Sequence, residues 1–590
     1  MLHPARWARR RPVAAVLALT ALSLLLRVVA LGDRSMHWDE ARVGYWTLRY
    51  ARGAGFAYRP VIHGPLVPIL TAPLFERLGP TAFTARLPVA LIGGLAPLSA
   101  LLFRRSAAST DGALLDDDET VVLALLLAVT PGLVYYSRFM RSDVPLAVFA
   151  LFALGFAVRA VATGHRRHVV AAGLFAGLAI PTKENVLLYA ACAAGAAAVA
   201  VGWPAVAVLL PWRDGGGSGT GASPSTALRE SLGRARTVAA RHLPAVAPAL
   251  LVALVPVAFF LAPRGPAGDP SLGAALAGKV GWLALVERAT VGTWETFAAS
   301  LWAGERSHAY LGFAGRLWAY LLVGALPVVV GAGYAFAREL RAGARPLVVP
   351  LTAWGAAATL GYPLATDIPA PWIPVHIALP LFPVSAVGWV ALARERPWRA
   401  AAPDADARRR YARYALAGLV VLSTVHVPLV LAASSVTPPL YVNVLAQSAQ
   451  PADDLAPMRA VVDDAADDGG VLYYGDQYYL PNESLDDHQP TGDANWLGWW
   501  LGRLPMPWYV ERAGAPSSYS RDPDVLRERG SLPPVVFANG SAADEAGPIL
   551  TDRGYERTAY DLGLYHEQTV VAFVDESRLD GRSTAPRNRS

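Results

Sequence analysis

An acidic pair stands in the motif His37-Trp38-Asp39-Glu40-Ala41, just after the first long apolar run of the chain. A carboxylate held at the face of a membrane could act as a general base on an acceptor hydroxyl. The alternative is structural, because acidic side chains at the start of a helix interact favourably with its exposed amide groups. The motif alone leaves both interpretations open for Asp39 and Glu40.

Ionisable residues form four polar groups, each near the end of an apolar run. The groups are Asp39/Glu40 with Arg59/His63, then Arg138/Arg141/Asp143, then Lys183/Glu184, and finally His308 with Asp367/His376. Carboxylates beside cations suit a reaction that stabilises an anionic lipid-linked leaving group while an acceptor is deprotonated. Arginine and lysine would bind the phosphate, and a water-poor site would strengthen these interactions. For any single group, helix-end charges and caps remain the simpler interpretation.

The elements that must position these groups are apolar. The chain has 590 residues, of which 54% are hydrophobic and only 17% charged. Long apolar runs recur from residue 13 to about residue 432, which predicts a polytopic α-helical membrane protein. With arginine-rich loops assigned to the cytoplasm, we expect about 11 transmembrane helices, a cytoplasmic N-terminus and all four polar groups on the outer face.

One predicted span is too short to cross a bilayer. The apolar run 169–180 would measure only about 18 Å as a helix, against a hydrocarbon core of about 30 Å. Lys183 and Glu184 follow it directly and could therefore lie below the outer membrane surface. Ionisable residues at that depth usually face a bundle interior or an aqueous cavity.

The chain divides into regions of different composition. We predict a transmembrane domain over residues 1–435, with a catalytic external loop at 32–84 and a cytoplasmic Gly/Ser and basic linker at 212–243. Short apolar runs at Val471–Tyr474, 534–538 and 570–574 predict strands of a small extracellular α/β domain spanning 440–578. A disordered tail is expected at 579–590.

Several function classes lack their signatures. The sequence contains no HExxH, CxxC or Walker A motif, and the single cysteine, Cys192, excludes an intrachain disulfide. No nucleic-acid partner is expected. A transporter is a weaker hypothesis, since the charged residues gather at span ends and not at mid-span. Only two lysines occur, beside many arginines and an aspartate-rich C-terminal segment, which suggests a high-salt, GC-rich source.

These motifs resemble a known class of enzymes. The first span, residues 37–41, 56–60 and 63–65 resemble the membrane glycosyltransferases of the GT-C fold. Within that class the chain is similar to the protein O-mannosyltransferase and aminoarabinose-transferase superfamily, whose second and third motifs resemble 138–145 and 181–184. More narrowly, 136–143 together with 371–376 resembles an archaeal family named for association with flippase activity in protein glycosylation. The resemblance covers roughly residues 10–430.

The resemblance implies an inverting transfer from a polyprenyl (dolichyl) phosphate-linked sugar, outside the cytoplasmic membrane of a halophilic archaeon. The acceptor would be a glycoprotein or a lipid-linked glycan, with membrane lipids and other glycosylation proteins as further partners. Asp39 would act as base or bind the acceptor, with Glu40 beside it. The remaining candidates for donor and substrate contacts are Arg59, His63, Arg138, Arg141, Asp143, Lys183 and Glu184, and then His308, Asp367, Trp372 and His376.

Two alternatives accompany this interpretation. Some GT-C enzymes use a divalent cation, Mg or Mn, beside acidic loop residues, but no second acidic motif with a recognisable ligand spacing is present here. The name of the narrower family points to translocation of lipid-linked sugars, so a non-catalytic accessory to flipping is the competing function. The chain also has Asp367-Ile368 where relatives tend to have an acid-Lys pair.

Overall fold

The fold is known here from a computed structural model. It describes residues 4–105, 114–210, 223–265, 270–302, 308–343, 345–366, 368–395, 407–436, 439–440, 442–446, 449–478, 502–528, 532–564 and 568–579. The predicted tail at 579–590 lies outside these residues except for Leu579, and so does Asp367.

The described chain is mostly helical as far as residue 435. Its helices in this region are α1 (Pro4–Val28), α2 (Trp38–Ala51), α3 (Leu66–Leu78), α4 (Ala82–Gly94), α5 (Ala100–Phe103), α6 (Asp117–Val129), α7 (Pro131–Tyr136), α8 (Asp143–Thr163), α9 (Arg166–Ala179), α10 (Val186–Ala207), α11 (Pro224–Leu261), α12 (Leu272–Leu276), α13 (Trp282–Glu287), α14 (Thr293–Trp302), α15 (Tyr310–Ala342), α16 (Val348–Ala365), α17 (Ile373–Ala378), α18 (Leu381–Glu395) and α19 (Ala407–Ser435).

Within the described ranges, seven helices are long and apolar enough to cross a membrane by length and composition. These segments are Arg11–Val28, Ala82–Phe103, Asp143–Thr163, Val186–Ala207, Pro224–Leu261, Tyr310–Arg341 and Arg413–Ser435. A multi-pass membrane protein is therefore confirmed, whereas the count of about 11 spans is not. One predicted span divides into α6 and α7 at Pro131, whose ring and missing amide disfavour a continuous helix.

Part of the predicted cytoplasmic linker is helical. Residues 211–222 lie outside the described chain, but Pro224 begins the 38-residue helix α11, so residues 224–243 belong to a helix. Ser223 caps that helix by accepting a hydrogen bond from the amide of Thr226 at 3.2 Å. The alanine-rich sequence after it favours a helix more than an open linker.

The described part of the C-terminal region contains a five-stranded sheet and four α-helices. The helices are α20 (Ala456–Ala465), α21 (Met506–Ala513), α22 (Pro523–Arg527) and α23 (Gly540–Asp552), and the strands are β1 (Val471–Tyr474), β2 (Ser517–Ser520), β3 (Val535–Ala538), β4 (Glu556–Asp561) and β5 (Thr569–Val574). The strand order is β2-β1-β3-β5-β4. β1 pairs in parallel with β2 and β3, whereas β5 is antiparallel to β3 and β4. The three apolar runs thus form β1, β3 and β5.

The C-terminal region packs directly on α2 and the residues before it. A Cβ on Gly44 would lie 2.6 Å from the ring of Trp508, so the helix surface is matched closely to that indole. The amide of Met36 donates to the Tyr509 hydroxyl at 3.2 Å. The loop predicted to be external, residues 32–84, therefore contacts both the helical region and the C-terminal sheet region.

Candidate functional site

Asp39 lies in the first turn of α2, where its carboxylate contacts two arginines. His37 is the N-cap, and its Nδ1 accepts from the Asp39 amide at 3.0 Å, which leaves the Asp39 carboxylate available to other partners. One oxygen of Asp39 accepts from Arg42 Nη2 at 2.8 Å, and the other accepts from Arg141 Nη1. The Asp39 side chain keeps 20% of its surface exposed, whereas the side chain of Arg141 keeps only 5%.

Glu40 has a different environment from Asp39, because it is fully buried. Arg86 donates to both of its oxygens, at 2.7 Å from Nε and 2.9 Å from Nη2. The amides of His37 and Met140 also donate to Glu40, at 3.0 and 2.8 Å. Glu40 therefore has the structural role that was the alternative to catalysis, because it helps to cap the start of α2. It also joins α2 to the loop that carries Arg141.

A second carboxylate, Asp143, continues the network beyond Arg141. Arg141 Nε donates to Asp143 Oδ2 at 3.0 Å, and Lys183 Nζ donates to Oδ1 at 2.7 Å. His376 Nε2 lies 3.0 Å from the same Oδ1. The guanidinium of Arg141 also lies 3.6 Å from the ring centre of Trp372, within cation–π range. The structure therefore brings together six predicted residues: Asp39, Arg141, Asp143, Lys183, Trp372 and His376.

The carboxylates and cations of the network are balanced. Asp39 and Asp143 pair with Arg42, Arg141 and Lys183, and the nearby carboxylate of Glu184 also acts on Arg42, which makes three acids and three bases. Burial disfavours the charged form of Asp39, but Arg141 and Arg42 outweigh it and hold the pKa of Asp39 far below its usual range. An anionic ligand would therefore bind here by replacing Asp39 as the partner of Arg42 and Arg141.

A second cluster joins His63, Glu184 and Tyr58. His63 Nδ1 lies 3.0 Å from Glu184 Oε2, and the Tyr58 hydroxyl donates to Glu184 Oε1 at 2.6 Å. Burial opposes the charged form of Glu184, but His63 lowers the pKa of Glu184 below its ordinary value, with help from Tyr58. This cluster connects the loop between α2 and α3 to the turn that carries Lys183.

Several predicted residues have partners outside the network. Arg138 donates to the carbonyls of Val29 at 2.6 Å and Ala30 at 2.9 Å, just after the C-terminal end of α1. This arrangement satisfies backbone carbonyls, so it does not support the predicted contact of Arg138 with a donor phosphate. His308 Nε2 lies 2.8 Å from the Pro363 carbonyl, away from Asp143.

Sequence reasoning did not single out Arg42 or Arg86. Arg42 follows Asp39 by three positions in a helix, a spacing at which side chains meet, so this signal was available. Arg86 lies 46 residues from Glu40 along the chain, and no local pattern connects the two.

The predicted divalent cation has no matching ligand set in the residues described. No group of three or more His, Cys, Asp or Glu side chains that could hold a metal ion occurs among them. The carboxylates of Asp39, Glu40 and Asp143 each pair with arginine or lysine instead. These residues do not fit a resident metal.

Two families match different parts of the chain. The family described as dolichyl-phosphate-mannose-protein mannosyltransferase matches residues 62–213. The family described as Agl23 flippase-associated protein C-terminal domain matches residues 452–575, which contain the five-stranded sheet. A search of curated proteins found no match.

Solved structures resemble the chain at low sequence identity. ArnT from Cupriavidus metallidurans bound to undecaprenyl phosphate is 16% identical, with a TM-score of 0.54 over 97% of this chain and 99% of that one. The archaeal oligosaccharyltransferase AglB from Archaeoglobus fulgidus is also 16% identical, with a TM-score of 0.40 over 73% of this chain and 56% of that one. The likeness to ArnT concerns the fold. The predicted resemblance to the GT-C-fold glycosyltransferases of the mannosyltransferase superfamily, and to its flippase-associated family, is confirmed.

Proposed function

We propose that this chain transfers a sugar from a polyprenyl (dolichyl) phosphate donor to a protein or lipid-linked glycan on the outer face of a cytoplasmic membrane. The observation that carries the proposal is the contact between Asp39 and Arg141, because it places a base beside a cation that can bind phosphate. The match to the dolichyl-phosphate-mannose-protein mannosyltransferase family supports this reading, as does the undecaprenyl phosphate bound by ArnT.

The proposed reaction is a single displacement at the anomeric carbon. The acceptor hydroxyl gives its proton to Asp39 as its oxygen bonds to that carbon. The bond from the carbon to the phosphate oxygen breaks on the opposite face, and the polyprenyl phosphate leaves with the electron pair. Arg141 and Lys183 stabilise the negative charge that develops on the phosphate. Configuration inverts, and the proton ends on the Asp39 carboxyl group.

The pairing of Asp39 with arginines implies an order of binding. A carboxylate whose pKa is held far below its usual range is a weak base. A bound phosphate would compete with Asp39 for Arg42 and Arg141, because both guanidinium groups favour phosphate oxygens. The pKa of Asp39 would then rise toward its ordinary value. Donor binding would therefore precede activation of the acceptor.

Asp143 and Glu40 act in this scheme by positioning other groups. Asp143 is buried and holds Arg141 on one side and Lys183 on the other. Glu40 fixes the amide of Met140, next to Arg141 in the chain. Both carboxylates are fully paired, so they keep the cations in place and do not take up the acceptor proton.

An Asp39→Asn variant tests the proposal. Transfer from a dolichyl phosphate-linked sugar by the purified protein should fall by about 100-fold or more. Binding of the donor should persist, because Arg42, Arg141 and Lys183 remain. Asp33→Asn, which changes an exposed carboxylate in the same loop, is the matched control and should leave transfer unchanged. Full activity of the Asp39→Asn variant would refute the role of Asp39.

An accessory role in the flipping of dolichyl-phosphate-linked sugars is the second candidate. It is favoured by the match of residues 452–575 to the flippase-associated C-terminal domain. In that case the Asp39→Asn variant would restore wild-type surface glycans in cells that lack the gene. Under the transferase proposal the same variant behaves like the deletion.

A further inference from the structure

A cavity of about 480 Å³ lies between the first external loop and the C-terminal region. Its wall includes the C-terminal half of α2, the turn that follows it, and Glu511 of α21. The four polar groups of the sequence analysis did not predict this cavity, although one member of the first group, Arg59, belongs to its wall. The volume falls within the range of small-molecule binding sites in proteins.

Among the described residues of the wall, the charges are mostly positive. Arg49, Arg52 and Arg59 contribute three cations, and Glu511 contributes one carboxylate. Arg52 Nη1 donates to Glu511 Oε1 at 2.8 Å, and Arg49 lies 3.8 Å from the other oxygen. Burial and the nearby charge of Arg49 lower the pKa of Arg59 from its ordinary value. The cavity thus favours an anion.

The wall also includes an aromatic residue, Trp46, which is mostly buried. The guanidinium of Arg59 lies 4.0 Å from the ring centre of Trp46. The turn between α2 and Phe56 includes Gly53 and Gly55 at φ of +93° and +79°, conformations that glycine adopts without steric cost. A ligand in this cavity meets cations, one aromatic ring and the backbone of a glycine-containing turn.

The cavity is connected to Asp39 by one face of α2. Asp39, Arg42, Trp46 and Arg49 occupy positions i, i+3, i+7 and i+10, which lie along a single stripe of a helix. At 1.5 Å per residue, Trp46 lies about 10 Å from Asp39 along the helix axis and Arg49 about 15 Å. A molecule that reaches Asp39 along this stripe can therefore extend into the cavity.

We propose that this cavity is an acceptor subsite for an anionic saccharide, one whose sugar carries a carboxylate. The inference rests on the proposed transferase function, in which Asp39 activates an acceptor hydroxyl. The carboxylate of the sugar pairs with Arg49 and Arg59, its ring packs on Trp46, and a hydroxyl of the adjoining sugar reaches Asp39. The proposal thus assigns the chemical class of the acceptor.

A lipid phosphate headgroup has similar charge but fits this cavity less well. The wall is mainly polar, with four ionisable side chains, and it borders α21 of the C-terminal region. Glu511 would also repel a phosphate that carries more than one negative charge. The phosphate of the donor is assigned instead to Arg42, Arg141 and Lys183, at the other end of the stripe.

Binding by the full chain in detergent tests the proposal without requiring activity. Cellobiouronic acid and cellobiose differ by one carboxylate, and their dissociation constants can be compared by isothermal titration calorimetry. We expect the acid to bind about tenfold more tightly. The double variant Arg49→Gln/Arg59→Gln should lose that preference, and Arg49→Lys/Arg59→Lys should recover part of it. Arg77→Gln removes an exposed arginine of α3 and should bind like the wild type.

Three results would overturn the proposal. They are equal affinity for the two disaccharides, an unchanged preference in the glutamine double variant, and loss of dolichyl phosphate binding in that double variant. The lysine double variant and the melting temperatures separate a lost contact from a folding defect. The Asp39→Asn variant should keep the preference for cellobiouronic acid. If that variant stays active as a transferase, the proposed function fails while the saccharide site is still tested by binding.

Discussion

Lys183 donates to Asp143 at 2.7 Å, although the two residues are 40 positions apart and Lys183 follows a helix of only 14 residues. The turn after the short helix α9 brings the ammonium group of Lys183 against Asp143 at the start of α8. Both side chains are buried. Because burying an unpaired charge costs free energy, each of these two charges offsets the cost of burying the other.

Lys183→Gln should therefore affect stability as well as activity. Asp143 would keep Arg141 and His376 but lose its closest cation, and we expect a loss of about 3 kcal/mol in the free energy of unfolding. Adding Asp143→Asn to the Lys183→Gln variant should recover part of the lost stability, since the second substitution removes the unpaired negative charge. Thermal unfolding in detergent measures both variants. Additive losses in the double variant would contradict direct pairing.

Arg138→Ala should reduce stability and leave donor binding unchanged. Arg138 donates to carbonyls around the end of α1, and loss of these bonds should cost about 1–2 kcal/mol. Titration with dolichyl phosphate should give a dissociation constant within about twofold of the wild type. Arg42→Ala is the comparison, because Arg42 contacts Asp39 and its loss should weaken binding about tenfold. A tenfold loss of affinity for dolichyl phosphate in Arg138→Ala would instead indicate that Arg138 contacts the donor phosphate.

These two arginines and their neighbours show how far sequence reasoning reaches. The motifs located the loops that meet, and Asp39, Arg141, Asp143 and Lys183 do converge. They did not distinguish Arg138 from Arg141, since both lie in one loop and only the course of the backbone decides which side chain faces Asp39. Glu40 was predicted to be catalytic together with Asp39. No pattern of nearby residues indicates that Glu40 pairs with the buried Arg86, which is 46 positions away.

The same distinction holds in the C-terminal region. The three apolar strands were predicted within a residue of their ends, because continuous apolar runs mark buried strands. The polar strands β2 and β4 lie at the two edges of the sheet. Their side chains are mostly exposed, so their sequences lack the apolar pattern of a buried strand. These two strands form because their backbones pair with a neighbouring strand.

The pairing of Glu40 predicts a dependence of stability on acid pH. Burial opposes the charged form, but Arg86 and Arg34 outweigh it and lower the pKa of Glu40 to about 2. Because the folded pKa lies below the unfolded value of about 4.5, the stabilisation is fully present above pH 4.5. It is lost as the pH falls from about 4.5 toward 2, in total about 3 kcal/mol.

This dependence of stability on pH can be tested by measuring the melting temperatures of the wild type and of Glu40→Gln between pH 7 and pH 3. Glu40→Gln should be less stable at pH 7, because Arg86 loses its charged partner, and the difference between the two proteins should shrink as the pH falls. Arg86→Lys should also be destabilised at pH 7, since an ammonium group cannot make the two parallel bonds to Glu40. A difference that stays constant with pH would contradict the assigned pKa.

Gly64→Ala should displace the loop between α2 and α3 from the site. A Cβ at this position would lie 2.2 Å from the carbonyl oxygen of Pro181, so one of the two backbones has to move. We expect a loss of about 1–3 kcal/mol in the free energy of unfolding. Gly64 also precedes Pro65 and follows His63, which contacts Glu184, so the shift should separate the loop from the turn that carries Lys183. Transfer should fall by about 10- to 100-fold.

Gly312→Ala is the matched control for that prediction. A Cβ on Gly312, within the helix α15, meets no atom within 4 Å, and alanine favours helix more than glycine does. This variant should be as stable as the wild type or slightly more stable, with unchanged transfer. If Gly64→Ala retains full transfer, close packing of the loop on Pro181 is not required, and the link from His63 to Glu184 loses its assigned part in holding the site together.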